Sequence, residues 1–320
     1  MAVTIRDVAR QAQVSVSTVS RALSAPGLVK DATRQRVLDV VAGLGYQPNR
    51  AARSLITGRT GNLAVVVPDL LNPFFPSVLR GVQTKAGEAG TSVFFCDSRE
   101  DPETEAELVR TMASQVDGVV LCASLLSDET IIDLAAVTPL VLINRIVPGV
   151  SSVLMDSADG MEQVVAHLES LGHSDYVYLG GPAAAWSNNR RMQGLGGRAQ
   201  LLGSFDPNFD GGYAAAEQAL RTGATAFIAY NDLIALGALA YLAEHGVKVP
   251  EQISVTGFDD ILYATMCSPA LTTVHMPTEA AGEVAVDLLA TLLDGGQPEH
   301  RELPTTLVIR ASTARAHSRS

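Results

Sequence analysis

Cysteine is scarce in this chain of 320 residues, which has only three, Cys96, Cys122 and Cys267. They lie far apart and form no C-x-x-C pair, so neither a disulfide framework nor a thiolate metal site is expected. We interpret them as small buried hydrophobic residues of a cytoplasmic protein. The six histidines are scattered without the spacing of metal ligands, so no metal and no other cofactor is predicted.

Long apolar runs are also missing. No stretch of the sequence reaches the roughly 20 residues that a helix needs to span a bilayer. The first residues contain no apolar signal segment, because Arg6 and Asp7 stand where its core would be. We therefore expect a cytoplasmic protein that does not associate with membranes.

Motifs of catalysis and nucleotide binding are absent as well. Neither G-x-x-x-x-G-K-[ST] nor G-x-G-x-x-G occurs in the sequence. No spacing proposes a nucleophile beside a base, or a cluster of metal ligands. The sequence therefore predicts no catalytic residue and no enzyme activity.

Charge is distributed unevenly along the chain. The whole sequence has 23 basic and 34 acidic residues, a net charge of −11. Residues 1–60 contain nine basic and three acidic residues, which leaves 14 basic and 31 acidic residues for the remainder. A basic N-terminal segment on an acidic body concentrates the attraction for phosphate groups at one end of the molecule.

This basic segment begins with the pattern of a short helix. Ile5, Val8, Ala9 and Ala12 recur at i, i+3, i+4 and i+7, which is the apolar stripe of a helix that Thr4 can cap. After a tight turn, a second short helix is predicted to follow. The two together favour the helix-turn-helix of DNA-binding proteins.

The second helix has the polar outer face that DNA binding requires. Ser15 can cap it by accepting hydrogen bonds from free backbone N–H groups. The helix hides Val19 and exposes Val16, Ser17 and Arg21. The same shape also occurs as a mere packing unit, but the basic charge of residues 1–60 favours DNA binding.

A third helix is predicted from Lys30 to Leu44, with Val37 and Val41 facing inward. Lys30 cannot accept a hydrogen bond, so Asp31 is the candidate cap.

A short hinge helix can follow, because Pro48 interrupts the chain just before a possible cap at Asn49. A helix of about two turns is unstable alone, so we expect it to fold only against a partner. Residues 57–61 are typical of a flexible joint.

Four motifs of this segment match a known family. They are Thr4-Ile5-x-Asp7-Val8-Ala9, Val14-Ser15-x-x-Thr18-Val19-Ser20-Arg21, Thr33-Arg34 and Pro48-Asn49-x-x-Ala52-x-x-Leu55. With them the segment resembles the headpiece and hinge of the lactose-repressor (LacI/GalR) family of transcription regulators. The resemblance implies a recognition helix in the major groove and paired hinge helices in the minor groove.

The resemblance also implies roles for individual residues. By this resemblance, Arg21 would contact DNA bases and Val16 and Ser17 would set the operator preference. Leu55 would insert between base pairs. Arginine can read guanine through two parallel hydrogen bonds, and an apolar side chain can unstack a flexible base step. For Leu55 the alternative is a core position in a small helix. The full predicted set at the DNA is Thr4, Ser15, Val16, Ser17, Thr18, Arg21, Thr33, Arg34, Asn49, Arg50, Ala52 and Leu55.

Residues 62–320 alternate apolar strands with helical patterns. Continuous Val, Ile and Leu runs between helices predict parallel sheets that are covered on both faces. The stretch is too long for one ordinary sheet domain, so two α/β lobes are expected, with a ligand cleft at the carboxyl ends of the strands. The predicted strands are 63–67, 92–96, 118–122, 140–143, 152–155, 176–179, 226–229, 253–256 and 271–274, with early helices near 74–89, 102–115, 128–136 and 158–171.

This body also carries motifs in family order, among them Pro68-Asp69-x-x-Asn72-Pro73-Phe74-Phe75, Asn231-Asp232-x-x-Ala235-x-Gly237 and Gly257-Phe258-Asp259-Asp260. It resembles the family's effector-binding core, which is similar to type I periplasmic sugar-binding proteins. The resemblance implies a small ligand, most often a sugar or a nucleobase-type metabolite. The matching ligand residues are Asn72, Phe74 and Asn144 in the first lobe and Trp186, Arg191, Phe205, Asn231 and Asp259 in the second.

The chemistry of these residues suits a polyol, because Asp accepts from hydroxyl groups, Arg and Asn donate, and an aromatic ring stacks on C–H groups. Plainer alternatives remain for some of them. Asn231 can simply cap the helix that begins there. Either Arg190 or Arg191 points inward, and Trp186 either touches the ligand or only covers a loop.

One segment departs from the family pattern. The family has a full helix, a loop and a strand between the positions of Arg191 and Phe205, but only residues 192–204 lie there in this chain. The segment is short and rich in glycine. We therefore expect a brief helix, and either a missing strand or an unusual rim of the cleft. The position of Phe205 depends on the path of this segment.

Together these features predict an all-α helix-turn-helix headpiece with a hinge helix, followed by a two-lobed α/β core with parallel sheets. The predicted domains are residues 1–47 for the headpiece, 48–61 for the hinge helix and linker, and 62–320 for the effector-binding and dimerisation core. Residues 311–320 are polar and carry no apolar heptads, so a dimer is expected rather than a tetramer.

The expected function is a cytoplasmic, DNA-binding transcriptional repressor. It would bind near-palindromic double-stranded operator DNA as a homodimer and respond to a small-molecule effector, most often a sugar. The sequence leaves open whether the effector releases DNA or promotes binding. A sugar-binding transport component and a sugar-modifying enzyme are the competing hypotheses.

Overall fold

The computed structural model describes residues 3–24, 26–46 and 58–316. The chain divides into two compact units, residues 1–60 and 61–320. The predicted hinge helix lies outside the described residues, and so do the DNA-binding roles predicted for Asn49, Arg50, Ala52 and Leu55.

The first unit contains, in its described residues, the helices α1 (Ile5–Ala12), α2 (Val16–Ser24) and α3 (Asp31–Leu44). The predicted starts of α1 and α2 are confirmed. The carboxylate of Asp7 accepts from the backbone N–H of Thr4 at 3.0 Å and from its hydroxyl at 2.7 Å. At the start of α2, Ser15 Oγ accepts from the backbone N–H of Thr18 at 3.1 Å.

The third helix differs slightly from the prediction. Asp31 is its first residue rather than its cap, and Lys30 precedes it without a side-chain cap. Gly45 follows the helix as its C-cap, and its φ of 61° is the left-handed conformation that glycine adopts most readily. The small core of the unit contains the fully buried side chains of Val8, Val19 and Val37.

The second unit consists of two α/β lobes, each built on a six-stranded sheet. The strand order is β11-β5-β4-β3-β1-β2 in the first lobe and β12-β10-β9-β8-β6-β7 in the second. All neighbouring strands are parallel except β10 and β12. The predicted two-lobed architecture is therefore confirmed.

The strands are β1 (Asn62–Val67), β2 (Ser92–Asp97), β3 (Gly118–Cys122), β4 (Leu140–Ile143), β5 (Ser151–Met155), β6 (Tyr176–Leu179), β7 (Gln200–Leu202), β8 (Ala226–Ala229), β9 (Ser254–Asp259), β10 (Thr272–His275), β11 (His300–Leu303) and β12 (Thr306–Val308). The helices are α4 (Phe74–Glu88), α5 (Pro102–Met112), α6 (Asp128–Val137), α7 (Ser157–Ser170), α8 (Trp186–Leu195), α9 (Phe209–Leu220), α10 (Asp232–Glu244), α11 (Leu262–Met266) and α12 (Thr278–Leu293). Within the described ranges, none of the helices is long and apolar enough to cross a membrane.

All nine predicted strands of the body are present, but β7, β11 and β12 were not predicted. The shortened segment 192–204 does supply a strand, because β7 pairs with β6 at the edge of the second sheet. The helix before it, α8, is brief as expected and ends at Gly196. The side chain of Arg198 then donates to the last carbonyl groups of α8, to Leu195 at 3.0 Å and to Gly194 at 2.7 Å.

The chain crosses between the lobes three times within residues 61–316. It leaves the first sheet after β5 and enters α7, which packs against α8, β10 and β12 of the second lobe. It returns after β10 into α12, which packs on α4 and on β3 to β5. The third crossing joins β11 to β12. Each lobe is therefore built from separate stretches of sequence, and the cleft lies between them.

Close helix pairs in both lobes depend on glycine. A Cβ atom on Gly81 of α4 would collide with the backbone oxygen of Glu279 in α12, and one on Gly282 with that of Val78. The second lobe repeats the arrangement between α9 and α10, where Gly212 and Gly237 face the backbone of the opposite helix. Side chains at these positions would push the helices apart.

Candidate functional site

A cleft lies between the two lobes, where several strands end. Parallel strands expose their carboxyl ends at one edge of a sheet, which is where open α/β sheets bind ligands. The lining residues are Pro68, Asn72, Phe74, Phe75, Glu100, Ala123, Leu125 and Asn144 from the first lobe and Pro182, Ala185, Ser187, Arg191, Pro207, Tyr230, Asn231 and Asp259 from the second.

Arg191 and Asp259 form a buried ion pair on the second lobe's side of the cleft. Arg191 Nη2 lies 3.3 Å from Asp259 Oδ1, and the two side chains are only 4% and 7% exposed. Arg191 Nη1 donates to the backbone oxygen of Tyr230. The rings of Tyr230 and Phe258 lie 4.4 Å and 4.2 Å from the guanidinium carbon. Among the guanidinium nitrogens, Nε is buried without a hydrogen-bond partner.

Arg191, and not its neighbour Arg190, points into the cleft. Arg190 lies outside the cleft, where its Nη2 is 3.5 Å from Asp156 and 3.9 Å from Glu302. Only Arg191 of the two lines the cleft.

The Asp259 carboxyl lies in an unusual environment. Burial raises its pKa to about 7, although the neighbouring Arg191 charge and hydrogen bond lower it. Its φ of 110° is a conformation that residues with a side chain rarely adopt. Beneath it, Asp232 is fully buried, and burial followed by the charge of Asp259 raises the Asp232 pKa well above its usual value. Thr273 Oγ1 donates to Asp232 at 2.5 Å, and the Ile261 N–H donates at 2.9 Å.

The three predicted asparagines all line the cleft, and the side chain of each also accepts a hydrogen bond from a backbone N–H group. Asn72 Oδ1 accepts from the Phe74 N–H at 3.0 Å, and Asn144 Oδ1 accepts from the Met155 N–H at 3.2 Å. Asn231 caps α10, because its Oδ1 accepts from the Ile234 N–H at 2.9 Å while its Nδ2 donates to a backbone oxygen. The cap predicted for Asn231 is therefore confirmed, while its ligand contact stays a prediction.

The structure brings six of the eight predicted ligand residues to the cleft, namely Asn72, Phe74, Asn144, Arg191, Asn231 and Asp259. It does not bring Trp186 and Phe205 there. Trp186 is half-buried at the start of α8, with the Arg190 guanidinium carbon 5.6 Å from its ring centre. Phe205 packs against the hydrophobic core of the second lobe. Ligand contact by these two residues stays a prediction from the resemblance.

Sequence reasoning missed several lining residues. Glu100 follows β2 and Tyr230 follows β8, so both obey the strand-end rule that pointed to Asp259. Ser187 Oγ lies 2.8 Å from the Tyr230 hydroxyl, which orients this ring beside Arg191. The strand-end rule, applied to every strand, would have found Glu100 and Tyr230.

The second candidate site is the outer face of α2 in the first unit. Val16, Ser17 and Arg21 are exposed there, with Val16 42% exposed, while Val19 and Ala22 are buried on the opposite face. Ser15 Oγ lies 2.8 Å from both Ser17 Oγ and Thr18 Oγ1. Of the other predicted DNA residues, Thr4 is exposed, and Thr33 and Arg34 are half-buried on α3.

Known proteins resemble both parts of the chain. The family model for bacterial regulatory proteins of the lacI family matches residues 4–49, and the model for a periplasmic binding protein-like domain matches residues 165–313. The HTH-type transcriptional regulator GalS of Salmonella typhimurium is 34% identical over 89% of this chain and 88% of its own. This chain belongs to the LacI family.

Solved structures of LacI-family proteins have the same fold. The lac repressor dimer bound to operator and the anti-inducer ONPF has a TM-score of 0.86 and 28% identity, over 98% of this chain and 100% of that chain. A LacI-family transcriptional regulator from Enterococcus faecium with bound ribose has a TM-score of 0.72 and 27% identity, over 80% of this chain and 100% of that chain.

Membership of the LacI family confirms the predicted class. The protein is a DNA-binding transcriptional regulator of the helix-turn-helix type, and its relatives are regulators rather than enzymes. The exposed face of α2 and the cleft between the lobes remain the two candidate sites of this regulator.

Proposed function

We propose that this LacI-family protein is a cytoplasmic repressor that binds near-palindromic operator DNA as a homodimer and is controlled by a sugar in the cleft. The observation that carries the proposal is the buried Arg191–Asp259 pair, which lines a cleft in the same chain as the exposed face of α2. The dimer on operator and the ribose complex among its solved relatives support the two partners.

The chemistry of the cleft suits a polyhydroxy ligand. Asp259 can accept hydrogen bonds from hydroxyl groups, and the unpartnered Nε of Arg191 can donate one. Phe74 and Tyr230 add aromatic surface to the lining, which suits the C–H face of a sugar ring. A ligand that contacts both lobes would change the free-energy difference between their open and closed arrangements.

Control of DNA binding then follows from a coupling between two distinct sites. We take the three functional segments to be residues 1–47, 48–61 and 62–320. The ligand would alter how two cores present their headpieces, and the segment 48–61 would fold on DNA or unfold with that change. Two headpieces would read two half-sites, because the symmetry of a homodimer matches that of a palindrome.

The test measures DNA and ligand binding on the full chain. An operator is first selected from random double-stranded DNA, and its affinity is then measured by fluorescence anisotropy with and without each member of a panel of sugars. We expect one sugar to change the operator affinity by about 5- to 150-fold, the usual range of such couplings. A protein that prefers no DNA sequence, or whose operator affinity no sugar changes, would contradict the proposal.

A further inference from the structure

Above about pH 7, where Asp259 is ionised, the lining of the cleft carries more negative than positive charge. Its charged side chains, among the described residues, are Glu100, Arg191 and Asp259. The carboxylates of Asp69 and Asp206 lie close enough to Glu100 to act on its ionisation. Arg191 is thus the one basic side chain among the described lining residues, against at least four carboxyl groups in and around the cleft.

The charge of Arg191 is already engaged. Asp259 pairs with Nη2 at 3.3 Å, the Tyr230 backbone oxygen accepts from Nη1, and two aromatic rings cover the guanidinium group. A phosphate or carboxylate group on a ligand would have to displace Asp259 from the Arg191 guanidinium group, or pair with that group alongside Asp259. Arg191 therefore offers little attraction to an anion, beyond one hydrogen bond from Nε.

Glu100 lines the cleft from the first lobe and is exposed. Its φ of 58° is in the left-handed region, and its backbone N–H donates to the Pro68 oxygen at 2.8 Å, which holds this conformation. Partial burial, followed by the charges of Asp69 and Asp206, raises the pKa of the Glu100 carboxyl. Burial chiefly raises the pKa of the Tyr230 hydroxyl, which also lines the cleft, and the charges of Asp259 and Glu100 raise it further.

The carboxylates around Glu100 come from both sides of the cleft. Asp69 follows β1 in the first lobe, and Asp206 follows β7 in the second. Like charges held on opposite lobes repel each other when the cleft is closed, unless a ligand places hydrogen-bond donors between them. A ligand with hydroxyl groups relieves this repulsion, whereas a ligand that carries its own negative charge increases it.

We propose that Glu100 is a specificity-determining residue of the cleft, which admits ligands that bring hydrogen-bond donors without negative charge and excludes phosphorylated or carboxylated ones. The inference rests on the proposed function, because it takes the cleft to be the effector site. It narrows the effector from sugars in general to unphosphorylated, non-acidic sugars.

The first experiment compares matched neutral and anionic probes on the full chain. Ribose with ribose 5-phosphate, galactose with galactose 1-phosphate and glucose with gluconate are titrated by calorimetry. In any pair that binds, we expect the uncharged member to bind more tightly. Glu100→Gln should weaken that preference by about two- to fivefold, which corresponds to the usual interaction energy of a partly exposed pair of charges.

Glu107→Gln is the matched control. The substitution removes the same charge from the exposed face of α5, where Glu107 does not line the cleft. It should leave the preference unchanged. Two results would overturn the inference: an anionic probe that binds the unmodified protein as tightly as its neutral parent, or a preference that Glu100→Gln leaves intact.

The second experiment needs no ligand. A carboxyl whose pKa is raised by folding destabilises the folded state at pH values above that pKa, and the penalty disappears as pH falls towards the unfolded value. Glu100→Gln should therefore raise the thermal midpoint of the empty protein at about pH 8, and this gain should shrink towards about pH 4. Glu107→Gln should show no such gain.

The two experiments separate this inference from the proposed function. If Glu100→Gln gains no stability at the higher pH, the carboxylates do not repel and the inference fails. If the gain is seen but no neutral sugar binds or alters operator affinity, the sugar effector fails while the repulsion around Glu100 stands. An anionic probe that then binds the unmodified protein would overturn the exclusion of anions.

Discussion

Asp259 illustrates how a single residue combines strain and charge. It has a positive φ, a carboxyl whose pKa is about 7, and one buried arginine as its partner. Strained residues persist where the surrounding structure holds them, and they concentrate at functional sites. Asp232 supplies this support from below, since it accepts from the N–H of Ile261, two residues after Asp259.

Ligand affinity should increase between about pH 6 and about pH 8. In the empty cleft Asp259 gains its negative charge as pH rises through about 7, and hydroxyl groups of a sugar donate best to the ionised form. Calorimetric titrations across this range measure the effect. Asp259→Asn should bind the sugar weakly at every pH and lose the dependence, and a dependence that survives in this variant would assign it to another group.

Arg21→Ala should remove the preference for operator over random DNA. Loss of a base-reading arginine costs about 1–3 kcal/mol of discrimination, whereas salt-dependent attraction to phosphates depends on total charge. Anisotropy titrations with both DNAs at matched salt measure the two contributions. Arg10→Ala is the control, because this substitution removes the same charge from an exposed position on α1. If both variants lose affinity equally for both DNAs, Arg21 reads no base.

Residues at the cleft were predictable where chemistry and strand position coincide. Asp259 and Arg191 combine the residue types that bind hydroxyl groups with positions that match the family, and both line the cleft. Phe205 was not reliably predictable, because its position follows a shortened segment whose path depends on packing. Glu100 follows β2 and could have been found from strand position alone, but no motif singles it out, and its left-handed backbone was not predictable.

At the scale of elements, the glycines inside helices have a role that sequence patterns conceal. A helical glycine ordinarily costs about 1 kcal/mol relative to alanine and lowers the expectation of a helix. Gly81 and Gly282 nevertheless lie within α4 and α12, because each lets the backbone of the other helix approach. This requirement is visible only once the partner helix, about 200 residues away in sequence, is in place.

Gly282→Ala should destabilise the protein by about 1–3 kcal/mol, the usual cost of forcing extra atoms into a packed contact. Its methyl group would collide with the Val78 backbone oxygen. Gly87→Ala is the matched control on α4, since nothing lies within 4 Å of the added carbon. That variant should gain roughly 0.5–1 kcal/mol from helix propensity. Chemical denaturation measures both, and equal effects would contradict the close approach of the helices.

Strands were predictable where the sequence contains a continuous apolar run. Eight of the nine predicted strands lie inside the two sheets, and the ninth, the edge strand β2, still contains the apolar run Val93-Phe94-Phe95. The strands β7, β11 and β12 are three or four residues long and partly exposed. These three are edge strands with one neighbour and one open side, and their sequences contain little of the apolar signal on which such predictions depend.

At the scale of the whole molecule, charge and ligand chemistry are divided between the two units. The basic residues of 1–60 suit phosphate, while the acidic remainder of the chain repels it. The two-lobe organisation was predictable from length and strand rhythm. The three crossings between lobes were not, because β11 and β12, which make the third, give so weak a signal.

Residues 61–320 expressed alone should bind the same sugar as the full chain and should not bind operator DNA. They form a compact unit of their own and keep the whole cleft, but they lack the exposed face of α2. Calorimetry and anisotropy on the two proteins test this. Operator binding by residues 61–320 would place the DNA contacts in the core.

Trp186 gives the molecule an optical label of its own. It is the only tryptophan in 320 residues, and it stands at the start of α8, next to Ser187 on the wall of the cleft. Its emission therefore arises from one place, within reach of the charged side chain of Arg190. We expect ligand binding beside Ser187 to change this emission, which stopped-flow fluorescence can measure in the unlabelled protein.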